Sequence, residues 1–362
     1  MEITKSNRDF LDCLRGASIL RVVLGHLGLF WIYRPYSEFF HALLPLLFFV
    51  SGAVSFGSFL RSSSVANYLL RRLIGILTPY YVLIALVYGL YLGWNGQFPP
   101  SASGESLWRV LFITPMKADT PFPLGQVWYL HALVIITFLA LPFFHWARSS
   151  IGCLLLPILA SLALTALQFV VDSDHRFVWF GHNFYQAFAN ASFFFFGALY
   201  IQTLERWQWQ RLLPALCLAL LVAMILLVRL SKTPVGLAHH SYAPDLYYVG
   251  CAYIALTLLL ALRLWLIRAL DGVQWLKRFL LYTSKHAYSI FLIHSFFIFA
   301  AEEWLGLMNV AQAPLLALAK IALVLSASFA AAPLLTHLCK PVSKWLTARF
   351  APSGKAQAVG GQ

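Results

Sequence analysis

The sequence predicts an all-α polytopic membrane protein with about ten transmembrane helices and both termini in the cytoplasm. Three observations lead there. The 362 residues are 60% hydrophobic and 11% charged, with a mean hydropathy of +0.75, a composition that excludes a soluble domain of this length. Apolar runs of about twenty residues, enough to cross the hydrocarbon core as helices, recur along the whole chain. Basic residues gather in alternate connections, as the positive-inside rule requires.

Taken in order, the apolar runs fall at 10–31, 39–60, 71–92, 127–145, 151–171, 183–202, 212–230, 246–266, 286–302 and 314–338. With the N-terminus inside, seventeen of the 26 lysines and arginines lie in cytoplasmic segments, among them Arg61, Arg71, Arg72, Arg148, Arg263, Lys277, Lys285, Lys340 and Lys344. Six lie outside (Arg34, Arg109, Lys117, Arg176, Arg229 and Lys232), and Arg15, Arg21 and Lys320 fall within spans. The net charge of +13 therefore follows topology, and no nucleic-acid-binding module is indicated. The five cysteines sit in or beside spans without metal-ligand spacing and read as small membrane residues. The first run is too long and too charged for a cleaved signal peptide, so it is expected to stay as an anchor. One transmembrane domain is expected over residues 1–345, with a flexible cytoplasmic tail over 346–362.

The first span carries the unusual chemistry. Asp12, Arg15, Arg21 and His26 stand among apolar and small residues, and ionisable side chains within a membrane mark function by default. From Arg15 to His26 a helix turns through about 1100°, three turns plus about 20°, so both side chains share one face about 16 Å apart along the axis. Asp12, one turn from Arg15, supplies a counter-charge. Snorkelling of Arg15 and a packing role for His26 are the structural alternatives.

The second span holds Pro45, a site for a kink, and the pair Ser51-Gly52, small residues that let helices approach closely. Arg71 and Arg72 open the third span. Topology alone explains basic residues there, but paired guanidinium groups also suit phosphates. The outer loop over 93–126 contains Trp94, Phe98, Trp108, Arg109 and Lys117 and is long enough for a lid or binding loop, its aromatic faces suited to sugar rings. An irregular loop resting on the bilayer interface fits equally. The fourth span opens with Trp128 and Tyr129, followed by His131, which is given no catalytic role. Asp172, Asp174, His175, Arg176, His182, His239, His240 and Asp245 read as solvated loop residues without metal spacing. The Phe193–Phe196 run reads as a packing or lipid-facing surface. In the ninth span Tyr288, Ser289 and His294 lie on one helix, with Glu302 and Glu303 beyond it as candidates for contact with acceptor hydroxyls.

Four fragments together resemble the membrane-bound acyltransferase-3 family: the Arg15 to His26 spacing within LDCLRGASILRVVLGH, Ser51-Gly52 within FFVSGAVSF, Arg71-Arg72 before TPYY, and Tyr288, Ser289 and His294 within AYSIFLIH. Trp128 also matches. The sequence departs from the family pattern at Gly75, where a second arginine is expected, and lacks a glutamate soon after Trp128. The resemblance implies an integral membrane O-acyltransferase of the bacterial inner membrane. It would move an acyl group, acetyl first among the candidates, from acetyl-CoA or another acyl-CoA to a carbohydrate hydroxyl at the cell surface or on a lipid. His26 would be the general base, with Arg15 and Asp12 shaping the donor channel, His294 orienting the acceptor or stabilising the oxyanion, and Arg71 and Arg72 holding donor phosphates. No metal is expected; membrane lipids and other glycan-synthesis proteins are the expected neighbours. A covalent acyl-enzyme on His26 or Ser51 is the alternative to direct transfer. The competing classes are a transporter or flippase of a lipid-linked sugar, for which no internal repeat is found, and a structural scaffold.

Overall fold

Helix α1, Lys5–His26, starts at Thr4, whose hydroxyl accepts the Asn7 amide at 3.4 Å, and it ends at Gly28 in the left-handed conformation (φ 81°). The computed structural model describes residues 4–28, 36–96, 104–113, 125–148, 150–170, 178–179, 182–204, 208–231, 235–241, 243–307 and 314–350. His26 is therefore the last residue of its helix, and the part of the predicted first span beyond Gly28 lies outside the described residues. Arg21 is buried and donates through Nε to the Phe40 carbonyl at 2.7 Å, tying α1 to the 3-10 segment Tyr36–Leu43. Pro45 stands at the N-cap of α2, Leu46–Arg61, so it begins the helix and does not kink it.

Helix α3 is Val65–Asn95, capped by Ser64 and closed by Gly96 at φ 68°. The predicted irregular outer loop contains a further helix, α4 (Gly104–Leu111), whose last carbonyls take the Tyr80 and Tyr81 hydroxyls: Val110 at 2.9 Å and Leu111 at 2.7 Å. The chain continues through α5 (Trp128–Trp146), α6 (Leu155–Val170), a two-residue antiparallel pair (β1 Val178–Trp179 with β2 His182–Asn183), α7 (Tyr185–Thr203), α8 (Trp209–Ser231) and α9 (Ala238–Ser241). Asp245 caps α10, Leu246–Ala261, accepting the Tyr248 amide at 2.9 Å, and also meets His240 at 2.6 Å, which gives both residues a structural task. Helices α11 (Arg263–Gly272), α12 (Gln274–Lys285), α13 (Ala287–Glu303) and α14 (Pro314–Phe350) complete the fold.

Helices lie along all ten apolar stretches, but among the described residues five are long and apolar enough by themselves to cross a membrane: those within Ser37–Arg61, Val65–Gly93, Gly125–Trp146, Trp209–Leu230 and Leu315–Phe350. The pair α10 and α11 is bent by 63° and passes only when the two helices are taken together as one broken span, so the straight helix expected over 246–266 is interrupted. Among the described residues the remaining stretches fall short: α1 carries Arg8, Asp9, Asp12, Arg15 and Arg21, α7 carries Gln186, Asn190 and Gln202, and α6 and α13 are described over 16 and 17 residues. The last helix runs unbroken past residue 345, where a flexible tail was expected to start. At about 1.5 Å per residue it is roughly 55 Å long, against about 30 Å of hydrocarbon.

The centre of the bundle is α7 against α2. α7 is buried on nearly every side although it carries Gln186, Asn190 and Gln202; Phe193, Phe194, Phe195 and Phe196 are all buried and form a packing surface. Gly52 of α2 abuts the Phe194 carbonyl, and Gly197 of α7 abuts the Phe49 carbonyl, so neither position has room for a Cβ. Gly16 of α1 meets the Leu280 carbonyl of α12 in the same way.

These contacts predict that Gly52→Ala destabilises the protein by about 1–3 kcal/mol through overpacking against backbone. Gly57→Ala, on the same helix but with only the end of the Arg61 side chain at 3.6 Å, leaves stability unchanged or slightly raised. Unfolding of the two variants in detergent checks the difference.

Candidate functional site

Arg15 of α1, Ser51 of α2, Arg71 and Arg72 of α3, Tyr129 of α5 and Tyr288 of α13 line one cavity of about 360 Å³. Helix spacing explains the convergence: in Arg15-Gly16 and in Ser51-Gly52 the glycine seats the helix on a neighbour's backbone while the preceding side chain turns to the cavity. Arg15 pairs with Asp12 at 3.2 Å, and Asp12 also accepts the Ser284 hydroxyl at 3.2 Å. Arg71 is exposed and donates to Asn67 at 2.8 Å. Arg72 is different. Its Nε and one terminal nitrogen are buried with no hydrogen-bond partner, and no carboxylate lines the cavity. A guanidinium held this way is costly unless an anion arrives. The cavity is thus suited to a negatively charged ligand. Ser51 Oγ lies 3.2 Å from the Tyr129 hydroxyl, and the Tyr288 hydroxyl donates to the Ile76 carbonyl at 2.6 Å, fixing the polar wall.

His26 and His294 are not in this cavity. They meet each other, His26 Nδ1 to His294 Nε2 at 2.7 Å, with ring planes 6° apart and centroids 5.0 Å apart, an in-plane, edge-to-edge contact. His294 is fully buried, whereas His26 is exposed. His294 Nδ1 lies 3.2 Å from the Ile290 carbonyl, and a carbonyl only accepts. In the neutral pair, the network therefore assigns the proton of His294 to Nδ1 and makes its Nε2 the acceptor. His26 must then donate from Nδ1, which leaves its Nε2 unprotonated. A bare imidazole nitrogen on an accessible ring is what a general base requires.

Phe291 separates the two halves. It lines the arginine cavity, sits 5.3 Å from the Tyr129 ring, and faces His294 at 6.1 Å on the other side. Along α1 the same face carries Arg15, Ile19, Val22 and His26 from one half to the other.

The other expected residues are dispersed. Trp128 is half-buried outside the cavity, 6.3 Å from both Phe48 and Tyr129. Ser289 turns toward α14, 2.8 Å from the Thr336 hydroxyl. Glu302 is ion-paired with buried Lys320 at 2.6 Å, which gives it a structural role in joining α13 to α14. His131 packs its ring on Phe184 at 5.7 Å. Phe98, Lys117, Asp172, Asp174, His175 and Arg176, and the side chains of Trp94, His182 and His239, lie outside the described residues. Phe291 and Ser284 escaped sequence reasoning, and Tyr129 was noted beside Trp128 without a place in the site, because an aromatic or a serine on an apolar helix looks like packing until its neighbours are known.

The family model described as an acyltransferase domain, acyltransferase-3, matches residues 8–336. The chain belongs to the acyltransferase-3 family, a class of multi-pass membrane proteins, and acyl transfer is its class of reaction. Searches of curated proteins and of solved structures returned no match.

Because two of the Arg72 guanidinium nitrogens are buried without a partner, Arg72→Met is expected to stabilise the ligand-free protein by about 1–3 kcal/mol while removing anion binding. Arg15→Met, which strands Asp12, gives no such gain. Thermal unfolding of both variants without ligand checks the sign.

Proposed function

We propose that the protein is an O-acyltransferase that moves a short acyl group, acetyl in the first instance, from a cytoplasmic acyl-CoA to a hydroxyl of a cell-surface or lipid-linked carbohydrate. In this reading it works in a bacterial inner membrane, with ten crossings and both termini inside. The observation that carries the reading is the His26–His294 pair, which stands at one end of an α1 face whose other end is Arg15. Family membership and the unpartnered nitrogens of Arg72 support it from the donor side. On the acceptor side, Trp108 and Phe112 of the outer loop are exposed, with ring centroids 4.5 Å apart, and suit the apolar face of a sugar.

The residues divide the work. Arg72 and Arg71 hold the anionic donor, with Arg15 beside them kept in place by Asp12 and Ser284. The bound thioester supplies an electrophilic carbonyl carbon. His26 Nε2 accepts the proton of the attacking hydroxyl as the oxygen–carbon bond forms, and returns it to the sulfur as the carbon–sulfur bond breaks. His294 accepts from His26 Nδ1 throughout, so the imidazolium keeps its orientation and its positive charge is shared along the hydrogen bond. His294 is thus a positioning residue in place of the oxyanion role first considered. Direct transfer needs no acyl-enzyme.

The ester-linked acyl content of surface glycans from cells lacking this gene tests the reading. Wild type is expected to restore an ester whose mass names the acyl group and acceptor, and His26→Ala at matched membrane level is expected to restore none. Restoration by both removes His26 as the base; no change in any glycan with either removes the carbohydrate acceptor.

The relay makes a separate prediction. His294→Phe, without an acceptor for His26 Nδ1, is expected to lower turnover by about 100-fold or more, with donor KM unchanged. His294→Gln, whose amide oxygen accepts, recovers most of the rate. Assays in membrane vesicles distinguish the two, and equal loss in both variants would make His294 a packing residue.

A further inference from the structure

Beside the arginine cavity lies a second one of similar size, about 360 Å³, on the far side of Tyr288. It is lined by Lys285 at the end of α12, His286 at the α12–α13 corner, and Lys340, Ser343 and Lys344 of α14. All three lysines are exposed, and among the described residues none makes an ion pair. No acidic side chain lines the groove. Lys340 and Lys344 are four residues apart on one helix face, a spacing at which like charges repel, and Lys285 faces the same groove from the neighbouring element. The first turn of α13 opens here without a side-chain cap. Three lysines facing one groove suit an anion with more than one charge.

The groove borders the arginine cavity. Gly75 and Tyr288 line both, and nothing lies within 4 Å of where a Cβ of Gly75 would stand. The space beside Gly75 is therefore open at the border of the two cavities. Resting on the donor reading above, we propose that the lysine groove holds the phosphates at the nucleotide end of acyl-CoA, while the arginine cavity takes the part of the donor nearer the thioester. Phosphate is also the chemistry of a lipid headgroup. The place for a lipid chain, however, is a separate apolar groove lined by Leu73, Leu77, Val342 and Leu346, which shares no lining residue with the lysine groove.

The test uses the purified full chain in nanodiscs of neutral phosphatidylcholine, titrated with CoA, 3′-dephospho-CoA and 4′-phosphopantetheine. Wild type is expected to bind CoA about tenfold more tightly than 4′-phosphopantetheine, with dephospho-CoA between, as loss of charged hydrogen bonds implies. The triple variant Lys285→Gln, Lys340→Gln, Lys344→Gln is expected to lose that preference and keep wild-type affinity for 4′-phosphopantetheine, which also reports that it is folded. A variant that keeps the full preference for CoA overturns the groove and leaves the donor reading standing. A variant that loses 4′-phosphopantetheine as well overturns the division between the two cavities. If the substitutions abolish retention of phosphatidylglycerol, read by mass spectrometry, while CoA affinity is unchanged, the groove is a lipid site and the proposal fails. Wild type that binds neither CoA nor 4′-phosphopantetheine removes the donor reading, and the groove assignment with it.

Discussion

At Gly52 and Gly197 two helix backbones meet with no side chain between them, and the positions of the other central helices follow from that approach. In a membrane the hydrophobic effect does not drive helices together, so close packing and the loss of side-chain bulk must do it. With α7 seated on α2, the fully buried rings of Phe48, Phe49, Phe56, Phe193 and Phe194 fill the centre. α2 is then held in one rotation, and Ser51, one residue before Gly52, has one direction to face. The same device at Gly16 fixes α1 against α12 and aims Arg15. Site geometry and core packing are thus set by the same dipeptides.

Within that frame the polar groups are unevenly satisfied, and the unevenness is informative. Asp12, Arg15 and Ser284 form a closed set, as do Ser51 with Tyr129 and Tyr288 with the Ile76 carbonyl. Arg72 alone in this cavity has buried donors without acceptors. A buried guanidinium without a partner lowers stability, so a fold that keeps one has a use for its charge. The lysine groove repeats the theme at the surface, where solvent makes the unmet charge cheaper to hold.

The histidine pair obeys the same accounting of donors and acceptors with a different outcome. A single hydrogen bond to the Ile290 carbonyl determines the tautomer of His294, and His294 determines that of His26. No carboxylate is needed to orient the proposed base. Phe291 keeps the pair apart from the arginine cavity while touching both.

Much of this was legible in the chain. Composition and hydropathy determined a multi-pass helical protein, because no other fold satisfies the backbone of so many apolar runs in lipid. The spacing of Arg15 and His26 determined that they share a face, since helical geometry is local, and the motif residues identified the family over nearly the whole length. What the sequence misjudged lay at helix ends and in irregular segments: α1 stops at His26 because Gly28 adopts a left-handed conformation, the stretch 246–266 breaks beyond Ala261, and α14 continues through Phe350. Only the tertiary structure decided that His26 pairs with His294, 268 residues away, that two nitrogens of Arg72 are left without a partner, and that Tyr288 and Gly75 line two cavities. Each of these depends on how helices distant in sequence rotate against one another, and that rotation is set by close packing at a few glycines.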